Sequence, residues 1–233
     1  MQCKKIEPHV LDEFVNHHDY ANYIETYAYG FTDKLKGERV LPLGFFMDGN
    51  LIGTAMVVIK RNVFGTQWYL PGGICIDPFD AELTKKAYDT LVAYARPFKV
   101  TFIRMEPDIE HQEHFPDGQI NEAGFNNDDI RQRFETWGWQ HRGYNYGYGG
   151  NIQNRFTIIK DLKDAHDETD FVNALHPNHR SRYRKSLRRF VFVEKAGKDQ
   201  LYVLHNFAQE LAKKQHFKPK SVAYFESLLD NYG

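Results

Sequence analysis

Residues 176–189 read His-Pro-Asn-His-Arg-Ser-Arg-Tyr-Arg-Lys-Ser-Leu-Arg-Arg, with six cations and no acid. Wound as a helix, Arg180, Arg184 and Arg188 share one face at four-residue spacing. Arg182, Lys185 and Arg189 form a second basic stripe, and Tyr183 and Leu187 are the candidates to anchor the helix inward. Like charges this close repel, so the cluster is useful opposite an anion. Phosphate is the natural one, because arginine offers it a bidentate fork. A solvated helix face with acid partners nearby is the plainer reading, and both stay open.

The second feature is Tyr69-Leu70-Pro71-Gly72-Gly73-Ile74-Cys75-Ile76-Asp77. A strand runs into a Pro-Gly-Gly turn, and an acid follows before the next helix. Glycines let backbone N–H groups approach a ligand closely. Asp77 is placed to hold or deprotonate an amine. The plainer alternative is a strand–turn–helix link with Asp77 near a helix N-terminus.

Other constellations carry less. His111-Gln112-Glu113-His114 lacks the spacing that puts two zinc ligands one helical turn apart. His17 and His18 are adjacent and point to different sides. Cys3 and Cys75 fit neither a disulfide framework nor a metal spacing, and Cys75 has no motif marking it as a nucleophile. No P-loop and no dinucleotide-binding glycine pattern occurs. No metal site is expected.

These residues need elements to hold them. The spacing of Phe14, Tyr20, Tyr23, Ile24 and Tyr27 predicts a helix over residues 10–28. Val40 to Phe46 and Leu51 to Ile59, joined at Asp48-Gly49-Asn50, predict a hairpin. A strand follows at Gln67 to Leu70, then a helix over 80–97 with Leu83, Ala87, Leu91 and Ala95 on one face. Val100 to Met105 reads as a buried strand, 107–126 as a polar surface loop, and 127–136 as a helix. Strands are expected near 139–147 and 155–160. Beyond the charged junction Asp161 to Asp170, helices are expected at 168–175, 179–189, 198–216 and 221–231, with one strand at Phe190 to Val193. The class is α/β with a mixed sheet.

Composition sets the frame. At 233 residues, 42% hydrophobic and 26% charged, the chain is an ordinary globular one of one or two domains. A net charge of −1 argues against coating nucleic acid by bulk charge, so DNA is not an expected partner. The charge is uneven. Residues 1–165 carry 18 Lys and Arg against 23 Asp and Glu, whereas 166–233 carry 12 against 8. No signal peptide is visible, and no apolar run approaches the roughly 20 residues of a membrane span. A reduced, cytoplasmic setting with at most peripheral membrane contact is expected.

Five segments, in order, resemble the FemABX family of non-ribosomal peptidyltransferases. Tyr69 to Asp77 is similar to its Tyr-x-Pro-(Arg/Tyr)-Gly-Pro-x-x-Asp stretch. Phe102-Ile103-Arg104-Met105-Glu106-Pro107 is similar to its strand ending in Arg-x-Asp/Glu-Pro. Ile152-Gln153-Asn154-Arg155 with Asp161-Leu162 resembles its passage into a second domain. The basic helix before Val191-Phe192-Val193, and Phe217 to Tyr224-Phe225, complete the set. There are departures. Glu25 and Tyr29 stand where Gln and Trp are usual, Gly72 where Arg or Tyr is common, Ile74 where Pro is common, and Lys220 where Arg is usual.

The resemblance implies a first GNAT-like acyltransferase domain at 1–165 and the opening helices of a second, incomplete one at 166–233. A C-terminally truncated chain is therefore expected. It implies transfer of an aminoacyl group from aminoacyl-tRNA to the stem-peptide lysine amine of a bacterial peptidoglycan precursor, UDP-MurNAc-pentapeptide or lipid II. That work is placed in the cytoplasm, with the inner face of the membrane left open as its site. No cofactor beyond the tRNA co-substrate is implied. By the same resemblance, Lys34, Tyr69, Arg104, Arg180, Arg184 and Arg188 would bind substrate. Asp77 would face the amine, and Arg182, Lys185 and Arg189 would meet tRNA or other phosphate. An inactive precursor-binding module and a small RNA-binding protein are the alternatives.

Overall fold

The computed structural model describes residues 1–34, 37–63, 65–144 and 162–232. Its centre is a five-stranded mixed sheet in sequential order: β1 (Gln2–Lys5), β2 (Arg39–Met47), β3 (Asn50–Asn62), β4 (Gly65–Gly72) and β5 (Val100–Pro107). The first four strands are antiparallel neighbours, and β5 lies parallel to β4. A parallel pair needs a crossover, supplied here by α3 (Ala81–Ala95). The expected mixed α/β class is the one found.

The β2–β3 hairpin closes through Asp48 and Gly49, both at positive φ, between paired Met47 and Asn50. That is the two-residue turn whose twist suits a hairpin. Helix α3 starts where the Asp80 carboxylate accepts the Leu83 N–H at 2.9 Å. It buries Ala87, Tyr88, Leu91 and Ala95 against Leu43, Phe45, Val57, Trp68 and Leu70. The opposite sheet face carries Met56 and Val58, covered by Leu11 and Val15. The molecule is thus layered helix–sheet–helix, and β4 passes through both cores.

The helix expected over 10–28 is three pieces: α1 (Pro8–Asn16), a 3-10 turn at Tyr23–Glu25, and α2 (Tyr27–Lys34). The aromatic spacing runs on through the break, but the local chemistry does not. Asn22 takes the Ile24 N–H on its side chain, and such residues pull backbone away from helix. Strand β1 carries no sequence signal; it is a short edge with exposed Lys4 and Lys5. Of the strand expected near 139–147, residues 139–144 form none, because Trp139 turns its ring edge-on to Tyr88 at 5.5 Å, and 145–147 lie outside the described residues. The strand expected at 155–160, and the segment 152–155 with Asp161, lie outside the described residues.

After α4 (Asp128–Thr136) come α5 (Glu168–Ala174), α6 (Pro177–Arg188), α7 (Leu201–Gln215) and α8 (Val222–Tyr232). Helix α8 packs back on α2. Phe190 to Val193 is not a strand. Phe190 takes a left-handed φ of 57°, and the Val191 N–H reaches Ser186 O at 3.1 Å, closing α6 with a Schellman turn. A strand also needs a neighbour for its backbone groups, and among the described residues none pairs here.

Candidate active site

In an open sheet, ligands favour the crevice beyond the carboxyl ends of parallel strands. Here those ends are Pro71-Gly72 of β4, running on to Gly73, and Glu106-Pro107 of β5, running on to Asp108, set side by side by the pairing of Gly72 with Pro107. Both glycines are required. Gly72 (φ +77) would put a Cβ 2.3 Å from Glu25 Cγ, and Gly73 (φ +89) would put one 2.8 Å from the Tyr88 hydroxyl. That hydroxyl, fully buried, accepts the Ile74 N–H at 3.1 Å and fixes the exit from β4.

Strand register places Tyr69 opposite Arg104. The Tyr69 hydroxyl donates to Glu106 Oε2 at 3.0 Å, and Arg104 Nε donates to Oε1 at 3.1 Å. Arg104 also lies 5.5 Å from the Tyr69 ring centre, with Lys60 over the same ring at 5.0 Å. Burial, then the Glu106 charge and hydrogen bond, push the Tyr69 phenol up, so it stays a donor. Glu106 is braced on both oxygens. The next acid, Asp108, is exposed and receives the Asn22 side-chain amide.

Beneath Asp108 lies Glu25, only 4% exposed, its carboxylate accepting the Asn22 N–H at 2.7 Å. Burial pushes its carboxyl up to about 8. The Asn22 hydrogen bond opposes that rise, and the Asp108 charge adds to it. Burial thus favours the uncharged form of Glu25 well above the ordinary carboxylate range. Burial likewise pushes the Cys3 thiol up to about 12 and the Cys75 thiol further, so neither is an activated nucleophile.

The structure brings Tyr69 and Arg104 together around Glu106. It gives Asp77 other company: its Oδ1 accepts the Phe79 N–H at 2.8 Å, its carbonyl accepts the Thr84 hydroxyl at 2.8 Å, and its charge acts on His18. Lys34 ends α2, and its side chain lies outside the described residues. Glu25, Glu106 and Asp108 were not among the site residues expected from the sequence. The signal available was Glu106 inside the Arg-x-Glu-Pro strand end, two residues before Asp108.

The second candidate surface is α6. Arg180, Arg184 and Arg188, with Pro177 and Ser181, line an open depression of about 510 Å³. Arg180 is fixed by donating to Asn173 O at 2.8 Å. Arg182, Lys185 and Arg189 are exposed on the neighbouring face. Among the described residues, no carboxylate pairs with any of these six cations. Among the described residues, the plainer reading of a solvated face thus finds no acid partner within ion-pair distance. Tyr183 is anchored through Glu168, whereas Leu187 stays 50% exposed and anchors nothing. No described group of residues has the make-up of a metal site, and no described helix is long and apolar enough to cross a membrane.

A model of the FemAB family matches residues 6–233. The lipid II:glycine glycyltransferase of Staphylococcus aureus is 23% identical over 222 residues, 94% of this chain and 49% of that protein. The chain spans about half the length of the curated relatives it matches. Among solved structures it is similar to FemX, with a TM-score of 0.79 and 23% identity over 99% of this chain and 55% of that one. A weaker likeness, TM-score 0.39 at 15% identity, covers 66% of this chain and 100% of an aminoglycoside 6'-N-acetyltransferase from Acinetobacter haemolyticus.

Proposed function

The chain belongs to the FemAB family, and from that premise we propose that it serves aminoacyl transfer from aminoacyl-tRNA to the stem-peptide lysine amine of a peptidoglycan precursor. The observation that carries this reading is Asp108, an exposed carboxylate with one amide partner, at the open end of the parallel β4–β5 pair. Glu106 cannot do the same work, because Tyr69 and Arg104 occupy both its oxygens. Asp77 keeps its turn with Phe79.

In the proposed reaction the acceptor amine enters the crevice and attacks the ester carbonyl of the aminoacyl-tRNA. An N–C bond forms, the bond from carbonyl carbon to ribose oxygen breaks, and the ribose leaves as its hydroxyl. Asp108 takes a proton from the attacking amine, and that proton is returned to the leaving oxygen. The ester is already activated, so orientation supplies much of the rate. The Tyr69–Glu106–Arg104 brace keeps the crevice wall in place. The cations of α6, without acid partners among the described residues, suit the phosphates of either ligand, the precursor's diphosphate or the tRNA backbone. Work on a lipid-linked or soluble precursor places the protein in the bacterial cytoplasm, at the membrane face if the acceptor is lipid II.

The test is incubation with charged tRNAs and either UDP-MurNAc-pentapeptide or lipid II, read by mass spectrometry. One added aminoacyl residue on the precursor is expected. Precursor binding without any added residue would favour a binding module. RNA binding without precursor binding would favour the α6-based reading.

A further inference from the structure

The turn at Asn22–Glu25 touches both strand ends of the crevice. Glu25 packs its side chain against Gly72 at the end of β4. Asn22 reaches Asp108, beyond the end of β5. The turn itself is a capping box: Asn22 Oδ1 accepts the Ile24 N–H at 3.1 Å, and Glu25 accepts the Asn22 N–H. With Oδ1 held, the Asn22 amide has one rotamer, and its Nδ2 points at Asp108.

We propose that Asn22 and Glu25 are positioning residues for Asp108, tying the direction of its carboxylate to the open end of β4. The proposal rests on the reading of Asp108 as the amine-facing carboxylate. An exposed aspartate turns freely about two side-chain bonds. A fixed amide donor selects one orientation and leaves the second oxygen for the amine. The charge arrangement agrees. Glu25 acts electrostatically on both Cys75 and Tyr88, and burial raises all three groups, favouring their uncharged forms. Asp108 then has no buried anion beneath it.

The variant Asn22→Ser separates the two roles of Asn22. It keeps an oxygen for the Ile24 N–H and removes the donor to Asp108. Two readouts apply to the full chain. The first needs no ligand: carbon-13 carboxyl NMR follows the titration of Glu25, its signal assigned with Glu25→Gln. Asp108→Asn is expected to lower the midpoint by about half a pH unit, since a neighbouring anion is lost. Asn22→Ser should lower it in the same direction, because the released carboxylate swings into water. A midpoint moved by Asp108→Asn but not by Asn22→Ser overturns the proposal, as does one moved by neither. The second readout is turnover with aminoacyl-tRNA and precursor. Asn22→Ser is expected to lower kcat about tenfold with KM within about twofold. An unchanged kcat overturns the proposal. A wild-type chain that transfers nothing defeats the functional reading instead, and the titration still decides the positioning.

Discussion

Glu25 and Gly72 are one structural decision made at two positions. The carboxyl occupies the space a side chain at 72 would need, and the glycine tolerates the left-handed backbone there. Gly72→Ala should therefore destabilise the fold by roughly 2 kcal/mol or more, measured as a lower urea midpoint. Glu25 also makes stability depend on pH. Its folded-state pKa lies above its ordinary value of 4.5, at about 8. The folded chain thus binds one proton more than the unfolded chain between those limits. Stability from this group is full below about 4.5 and falls as pH rises to about 8, by on the order of 5 kcal/mol at most. Glu25→Gln should flatten that fall, so that its melting temperature exceeds the wild type's at pH 8 by more than at pH 5. Gly72 stood out in its Pro-Gly-Gly turn, but Glu25 was marked only as a departure from the family's usual Gln, and Asp108 was not marked at all. A lone Glu in an aromatic stretch and a lone Asp in a polar loop carry no pattern. They become neighbours only when the α3 crossover lays β5 beside β4.

Helix α6 is the element whose sequence spoke most directly. The four-residue arginine spacing became one face, and the absence of acids within the run became an absence of ion pairs among the described residues. The triple variant Arg180→Ala, Arg184→Ala, Arg188→Ala should weaken tRNA binding. It should also reduce the slope of log affinity against log salt by about 2 to 3, read by fluorescence anisotropy across a salt series. Helix content should not fall, because like charges one turn apart cost a few tenths of a kcal/mol per pair. The sequence misled where periodicity outran local chemistry. Phe190 to Val193 has a strand's composition, yet Phe190 is spent on the left-handed residue that ends α6. Phe190→Gly should raise thermal stability by up to about 1 kcal/mol, since Phe190 is 78% exposed and glycine carries no penalty there.

At the scale of the molecule, the near-zero net charge conceals a division of labour. An acidic body builds the sheet and its crevice, and a basic helical region presents the arginines proposed to meet phosphate. Fold class, hairpin, crossover helix and family were legible because each depends on short-range pattern or ordered motifs. The crevice was only half legible. Tyr69 and Arg104 were picked out through their motifs and do meet at Glu106, whereas the approach of Glu25 and Asp108 depends on which strands become neighbours. The central claim is that the acceptor amine meets its donor at the carboxyl ends of β4 and β5. The most direct test is a titration of the nitrogen-15-labelled chain with UDP-MurNAc-pentapeptide, followed by amide chemical shifts. The account predicts the largest changes at Gly72, Gly73 and Met105 to Asp108, excluding Pro107, with smaller ones along α6. Changes confined to α6, leaving the two strand ends unmoved, would contradict it.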